Sequence, residues 1–294
     1  MRPPAEAIAS LGLVVGVIAL LIFFGVEGAL VYAVWRYRTA RVDAAKRFDR
    51  NTPLEIAWTA APALVLAVVF ALTLGTLAEI SFAGAEPGLR VRATAHQWWW
   101  EFGYAGFVTA NELHIPVGTV VEIELRSADV IHSFWVPELG GKTDMIPGTT
   151  NTLRLLARRA GTYEGQCAEF CGIEHAWMRI RVVADSQDEF ARWLANEARP
   201  AAAAPIEGER AFLSQVCVSC HAVRGTAARG TAGPDLTHVG SRATIGAGVL
   251  ASNLASMRAW LADPQRYKPG SLMPRVPLSD SELDALASYL VSLK

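Results

Sequence analysis

The thirteen residues from Gln166 to Met178 hold a dense set of metal-binding side chains: Cys167, Glu169, Cys171, His175 and Met178. Thiolate and thioether are soft ligands that select copper(I), zinc or iron–sulfur clusters, and imidazole suits copper and zinc. Because a thioether offers little to zinc, this donor set favours copper, and two thiolates on one short loop can bridge two copper ions. The best candidate for a second, distant histidine ligand is His132.

A second pair of cysteines lies in the sequence Cys217-Val218-Ser219-Cys220-His221. C-x-x-C-H is the signature of covalent haem c attachment. Two thiols three positions apart fit the two vinyl groups of the haem, and the adjacent histidine reaches the iron. A cytosolic redox pair is the alternative, but no βαβ pattern surrounds this motif. The two motifs use all four cysteines of the chain, so none is left for a structural disulfide.

Two apolar runs precede both motifs, Ile8 to Trp35 and Ile56 to Leu77. A helix needs about 20 apolar residues to cross ~30 Å of hydrocarbon, so each run predicts a transmembrane helix. A cleaved signal peptide is the alternative for the first run, but that run is too long and only Arg2 gives it a basic start. Basic residues dominate Arg36 to Arg50, so the positive-inside rule predicts a cytoplasmic loop over 36–55. We therefore expect a multi-pass inner-membrane protein whose redox motifs face the periplasm.

From Leu89 to Ala184 the hydrophobic pattern changes to period two, most clearly in Val117 to Leu125, as in half-buried strands. Recurrent Gly and Pro between short strands predict a β-sandwich. Ser186 to Glu197 predicts an amphipathic helix, and Arg199 to Pro205 predicts a linker. Seven residues span at most ~25 Å. Such a linker holds the next domain close to the sandwich at a high effective concentration.

Length and charge agree with this organisation. The chain has 294 residues and a formal net charge of -1. The length suggests about two domains, and the near-zero charge argues against a nucleic-acid partner. We predict a multidomain membrane protein in four parts: a two-helix transmembrane hairpin (1–88), a β-sandwich (89–185), a helix with a linker (186–205), and a small all-α domain (206–294).

At the first motif the chain resembles the binuclear copper A loop of cytochrome c oxidase subunit II, with every position of its C-x-E-x-C-G-x-x-H-x-x-M pattern present. The resemblance implies two bridging thiolates, two imidazoles, one thioether and one backbone carbonyl, contributed by Cys167, Cys171, His132, His175, Met178 and Glu169. In this family the carboxylate of that glutamate also reaches a magnesium or manganese site shared with subunit I. A zinc site or a disulfide is the alternative, but neither explains Met178 or Glu169.

The resemblance covers nearly the whole chain and implies a cupredoxin-like sandwich followed by a fused monohaem cytochrome c domain. Trp98, in a run of three tryptophans, matches the residue where electrons enter the copper centre. Glu55 matches the glutamate at the cytoplasmic mouth of a proton channel, although by composition alone it is a helix-start carboxylate. The stretch Gly233 to Leu236 resembles the cytochrome c loop whose proline carbonyl, here from Pro234, orients the haem histidine His221.

An iron that only passes electrons is expected to take a methionine as its sixth ligand. Met273 lies in a loop before the last predicted helix, where small cytochromes c place this ligand, and we predict that it binds the haem iron. Met257 is the rival, but the apolar spacing around it favours a core position. His238 is a weaker rival. The last helix is predicted to begin at Ser279 with a capping box.

The function implied by the resemblance is that of subunit II of a haem–copper terminal oxidase. Electrons from an external donor, cytochrome c or the bc complex, would pass through haem c to copper A. From there they would reach subunit I, where oxygen is reduced to water and protons are pumped. Subunits I and III, the donor and membrane lipid are the expected partners.

Two other functions fit part of the pattern. A nitric oxide reductase also uses a copper A subunit, and a membrane-anchored copper carrier needs no catalytic partner. The haem domain argues against the carrier, because a carrier has no use for one. A quinol oxidase subunit would lack the copper ligands that are present here.

Overall fold

The structure is a computed structural model, and it describes residues 4–39, 50–82, 85–202 and 205–294. The chain divides into two compact units, Met1–Ala83 and Gly84–Lys294. Most of the predicted basic loop, residues 40–49, lies outside the described residues.

The first unit consists of the helices α1 (Pro4–Tyr37) and α2 (Thr52–Ile80). At 1.5 Å per residue they are about 51 and 43 Å long, more than the ~30 Å of a hydrocarbon core. Large apolar side chains such as Phe23 and Leu66 are exposed along both helices rather than gathered in a core. In the part of the chain that the structure describes, these are the two helices long and apolar enough to cross a membrane.

The second unit begins with a sandwich of two five-stranded sheets. Its strands are β1 (Leu89–His96), β2 (Trp99–Tyr104), β3 (Phe107–Ala110), β4 (Glu112–Pro116), β5 (Val121–Ser127), β6 (His132–Trp135), β7 (Thr143–Met145), β8 (Asn151–Leu155), β9 (Gly161–Cys167) and β10 (Arg179–Asp185). One sheet has the order β3-β2-β1-β5-β8 and the other the order β4-β10-β9-β6-β7. The pairs β1–β5 and β10–β4 are parallel, and the remaining pairs are antiparallel.

Alternation along the strands builds the core between the sheets. In β5 the side chains of Val121, Ile123 and Leu125 are fully buried, while the glutamates between them are more exposed. The strand begins at Val121 rather than at Val117 as predicted. The reason is a turn at Gly118, which has a φ of +77°.

The predicted amphipathic helix closes one end of the sandwich as α3 (Gln187–Glu197). Its capping box is complete, because Ser186 Oγ accepts from Glu189 N and Ser186 N donates to the Glu189 carboxylate. Phe190 and Trp193 then pack on the sandwich core.

A second hydrophobic core belongs to the small helical part. Its elements are α4 (Ile206–Ser214), α5 (Cys217–Cys220), β11 (Thr244–Ile245), β12 (Leu250–Ala251), α6 (Leu254–Ala262), α7 (Pro264–Tyr267) and α8 (Asp280–Ser292). The predicted capping box of α8, formed by Ser279 and Glu282, is present. Its apolar stripe, including Leu283 and Leu290, is buried. The predicted fold class, a two-helix membrane hairpin followed by a β-sandwich and a small all-α domain, is confirmed.

Candidate metal centre and haem attachment site

Three neighbouring strands of the second sheet carry the loop of the first motif. Cys167 is the last residue of β9 and pairs with Phe134 of β6, the strand that starts at His132. Cys167 N donates to the carbonyl of Met178 (3.0 Å), which precedes β10, and Ala168 N donates to the carbonyl of Ser133 (3.0 Å). The sheet therefore brings His132 beside the loop that contains the other donors.

Two thiols and two imidazoles form one cluster, in which Cys167, Cys171 and His132 are buried and His175 is partly exposed. The Sγ atoms of Cys167 and Cys171 lie 3.8 Å apart. Nδ1 of His132 is 3.8 Å from Cys167 Sγ, and Nδ1 of His175 is 3.5 Å from Cys171 Sγ. Each sulfur thus has one imidazole nitrogen beside it.

The two weaker donors complete the same cluster. Met178 Sδ is 4.0 Å from Cys171 Sγ, and the carbonyl oxygen of Glu169 is 3.2 Å from Cys167 Sγ. The Met178 side chain is fully buried, whereas the Glu169 side chain is exposed. All six predicted donors therefore converge, and the Glu169 carboxylate lies on the surface.

Asp129 and Gln97, to which sequence reasoning assigned no role, hold the donors in position. Asp129 Oδ1 bonds Nε2 of His132 (2.8 Å), which leaves Nδ1 for a metal. Oδ2 of the same carboxylate accepts from Gln97 N (2.6 Å). The only sequence signal for this role was an acidic residue three positions before a candidate histidine.

Trp98 contacts the loop directly. Its Nε1 donates to the carbonyl of Cys171 (3.0 Å), and Gln97 Nε2 donates to the same oxygen (2.7 Å). A Cβ on Gly172, which has a φ of +119°, would lie 2.8 Å from the Trp98 ring. Glycine at this position therefore allows the indole to pack on the loop, and only 9% of Trp98 is exposed.

Charge in the cluster is unevenly distributed. A hydrogen bond from the Cys171 thiol lowers the pKa of Cys167, and the thiolate so formed, together with burial, raises the pKa of Cys171. Burial works against the charged form of His132, but Cys167 and Asp129 outweigh it and raise the pKa of this imidazole. Metal binding to such a site releases protons from the Cys171 thiol and from His132.

The donor set fits copper. Two soft thiolates, two imidazoles and a thioether select copper over harder ions, and two sulfurs with one imidazole each can serve two ions. A zinc site does not account for the buried Met178. The four cysteines are all free, so the disulfide alternative is not formed in this structure.

The second motif lies on α5 and at its C-terminal end. Both cysteines are partly exposed, and His221 follows directly. His221 Nδ1 lies 2.8 Å from the carbonyl oxygen of Pro234, which makes Nε2 the ring atom available to an iron. A Cβ on Gly233 would lie 2.7 Å from His221 Cε1, so glycine is required at this close approach. Burial lowers the pKa of His221, which keeps the ring neutral as metal binding requires.

The three candidates for the sixth iron ligand occupy different environments. Met273 is half-buried in the loop before α8, and its carbonyl accepts from Gln265 Nε2 (2.8 Å). Met257 lies in α6 inside the second core with 3% exposure. His238 is buried, and its Nε2 lies 3.1 Å from the Arg199 carbonyl. Of the two methionines, Met273 lies on a loop at the edge of the second core, and together with the cysteines and His221 it forms a donor set that fits a covalent haem.

Replacement of Met273 by Ala is expected to leave the haem attached but to remove its thioether ligand. The absorption of the methionine–iron bond at the red end of the spectrum should disappear. The haem potential should fall by on the order of 100 mV, because axial ligands set potentials over a wide range. The matched control is Met257→Ala, which should cost about 2–5 kcal/mol of stability by creating a cavity and should leave that absorption band intact. Loss of the band in the control and not in Met273→Ala would identify Met257 as the ligand.

Glu55 lies in the first turn of α2, far from both centres in sequence. Its Oε1 accepts from the backbone N of Asn51 (3.2 Å), the N-cap residue. A carboxylate in the first turn of a helix is expected to accept such a bond from a free backbone N–H at the helix start.

Comparison with known proteins agrees with this arrangement. Family models match residues 2–75 (cytochrome c oxidase subunit II, transmembrane domain), 107–185 (cytochrome c oxidase subunit II, periplasmic domain) and 206–294 (cytochrome c). The structure of the periplasmic domain of subunit II of cytochrome oxidase of Bradyrhizobium japonicum is 34% identical. That match covers 38% of this chain and 94% of the other, with a TM-score of 0.37.

Two curated relatives match most of the chain. Cytochrome c oxidase subunit 2 of Alkalihalophilus pseudofirmus is 38% identical over 295 residues, covering 95% of this chain and 83% of the relative. The corresponding protein of Bacillus subtilis is 36% identical over 291 residues, covering 90% of this chain and 82% of the relative. The chain therefore belongs to the cytochrome c oxidase subunit II family, as a membrane-anchored member with a C-terminal cytochrome c domain.

Proposed function

We propose that this subunit relays electrons from an external donor through haem c to copper A and on to subunit I. The observation that carries the proposal is the convergence of six copper donors in the same compact unit as a complete haem c motif. Family membership already makes the chain a component of an oxidoreductase complex and implies copper A and haem c. The order of transfer, the reduction of oxygen to water in subunit I and the coupled proton pumping are the proposed parts.

The residues of this chain do their work by holding the two centres rigidly. Cys167, Cys171, His132, His175, Met178 and the Glu169 carbonyl would hold two coppers, and Cys217, Cys220, His221 and Met273 would hold the haem. When bound, these groups supply one-electron oxidation and reduction. Asp129 and Pro234 each orient one histidine ring before any metal arrives. Burial of His132, Cys167, Cys171 and Met178 excludes water from much of the copper cluster, so little has to rearrange there when an electron passes.

Trp98 is proposed as the residue where electrons enter the copper centre, because its indole bonds the carbonyl of a ligand residue. The exposed carboxylate of Glu169 is proposed to reach a magnesium or manganese ion shared with subunit I. Glu55 is proposed to lie at the mouth of a proton channel. This role needs the cytoplasmic orientation of loop 36–55 that the positive-inside rule predicts, with both redox domains on the periplasmic side.

Rapid mixing of reduced donor with oxidised enzyme tests the proposed order. Haem c should be reduced first, and copper A should follow, because the short linker from Arg199 to Pro205 keeps the haem domain close to the copper domain as a tethered carrier. The two centres are followed separately by their visible and near-infrared absorption. Reduction of copper A ahead of haem c would overturn the order and make Trp98 the direct contact for the donor.

Two other functions remain to be separated by experiment. Turnover of oxygen rather than nitric oxide by the purified complex distinguishes an oxidase from a nitric oxide reductase. Co-purification with a large haem-bearing subunit I, and with subunit III, distinguishes either enzyme from a membrane-anchored copper carrier. Cytochrome c and the bc complex are the donors to be compared in the turnover assay.

A further inference from the structure

Lys268 is a buried cation at the contact between the sandwich and the helical part of the second unit. Only 3% of it is exposed. Its Nζ donates to three backbone carbonyls: that of Trp98 (2.6 Å), that of Trp177 (3.0 Å) and that of Gly246 (3.3 Å). An ammonium has three donors, and all three have an acceptor here. Two of these acceptors belong to the sandwich, so one side chain joins the two parts.

The charge of Lys268 is retained in this position. Burial lowers its pKa to about 8, and the nearby carboxylate of Glu174 works in the opposite direction. Sequence reasoning assigned this lysine no role, because nothing in the sequence around it marks an interaction with residues 170 positions upstream.

The loop that follows Lys268 leads to Met273 and is braced by one side chain. Gln265 Nε2 donates to the carbonyls of Ser271 (2.8 Å) and Met273 (2.8 Å), and Gln265 Oε1 accepts from Gly270 N (2.8 Å). Ser271 N donates to the carbonyl of Lys268 (3.1 Å). The position of Met273 is therefore tied to that of Lys268.

On the copper side, the same contact leads directly to a ligand residue. The carbonyl of Trp98 accepts from Lys268, and the indole of Trp98 donates to the carbonyl of Cys171. Beside it, Ile173 of the ligand loop packs so closely on Gly270 that a Cβ on this glycine would overlap the Ile173 side chain. Two hydrogen bonds and one close packing contact thus connect the Met273 loop to the Cys171 loop.

We propose that Lys268 is a positioning residue for electron transfer from haem c to copper A. Its ammonium anchors the Met273 loop on the backbone of Trp98 and Trp177. This inference rests on the proposed function. Electron transfer between fixed centres falls steeply as the gap between them widens, so an anchored loop keeps the rate high. With both groups bound, a single electron would pass from the haem to the copper pair, no bond would form or break, and Lys268 would keep its proton.

The contact has a second anchor that serves as a control. The carboxylate of Glu112, on β4, accepts from the backbone N of Ala243 (2.8 Å) and of Thr244 (3.1 Å). Glu112 thus joins the same two parts of the unit, but it has no bond to Trp98 or to the Met273 loop. A change at Glu112 loosens the contact without touching the proposed connection.

The test compares Lys268→Met and Glu112→Gln in the intact, purified oxidase. After flash reduction of haem c, Lys268→Met should slow electron arrival at copper A by about tenfold or more, as small displacements of reacting groups do. Glu112→Gln should change that rate little. Potentials of both centres, measured in each variant, correct the rates for driving force. The copper paramagnetic resonance and haem absorption spectra should match those of the unmodified enzyme.

Hydrogen exchange provides a readout that is independent of electron transfer. In the copper-free, full-length subunit, Lys268→Met should accelerate exchange at the amides of Gly270 and Ser271, and Glu112→Gln at those of Ala243 and Thr244. A purely structural role for Lys268 predicts that the two variants slow electron transfer in proportion to how far each opens the contact.

A second variant keeps the proposal testable if Lys268→Met does not fold. Gly270→Ala leaves Lys268 in place but forces the loop away from Ile173, and it should also slow transfer between the centres. An unchanged rate in the folded variants, with exchange accelerated in the loop, overturns the proposal. If haem c does not reduce copper A even in the unmodified enzyme, the proposed function itself fails, and the two failures are thus distinguishable.

Discussion

The Cys167→Ser variant should lose its binuclear copper centre. A hydroxyl is a harder ligand and suits copper(I) poorly, and Cys167 is the sulfur closest to both His132 and the Glu169 carbonyl. Turnover with the natural donor should fall by at least about 100-fold, since even changes to groups that only orient a ligand cost 10–100-fold in affinity or activity. Copper content and the paramagnetic resonance spectrum of one electron shared by two coppers are the measurements.

Asp129→Asn is the matched control for that variant. It keeps every ligand but weakens the bond that orients His132, so it should retain both coppers with reduced affinity. A Cys167→Ser protein that still shows two coppers sharing one electron would contradict the ligand assignment.

Truncation after Glu197 should leave a folded copper domain with a severely slowed natural reaction. The sandwich core and all six copper donors precede this point, and the helical part has a core of its own. Turnover with the natural donor should fall by about 100-fold or more, because the tethered carrier and its effective concentration are gone. Oxygen reduction with a small artificial donor that feeds copper A directly should continue.

The copper spectrum of the truncated enzyme provides the control. It should match that of the intact enzyme. Truncation removes Lys268 from the carbonyl of Trp98 and removes the partner of Glu112 on β4, and neither of these acceptors is a copper ligand. Full activity of the truncated enzyme with its natural donor would show that electrons enter at Trp98 without haem c.

The first residues of the linker are not free in solution, because they contact the helical part. Ala201 N donates to the Arg224 carbonyl (3.0 Å), and Pro200 lies against Gly225. The linker length predicted from sequence set an upper limit on the distance between the domains, while these contacts fix the chain on the helical part. These contacts shorten the free part of the linker, which raises the effective concentration of the helical part near the sandwich.

Much of this protein was determined by local sequence. The apolar runs, the alternation in β5, the capping boxes of α3 and α8, and the two cysteine motifs each depend on residues close together in the chain. The physical reason is that helix caps, strand alternation and short ligand loops are satisfied within a few residues of their own position. The choice of Met257 as a core residue also followed from apolar spacing alone, and it is buried as predicted.

Only the tertiary structure decided which distant residues support the two centres. His132 meets the copper loop because β6 pairs with β9, and the burial of Trp98 follows from the close approach that Gly172 allows. Lys268 meets the carbonyls of Trp98 and Trp177 because two separately cored parts pack against each other. The bonds of Lys268 and of the Trp98 indole use backbone carbonyls, which every residue carries, so no side-chain pattern in the sequence could identify them.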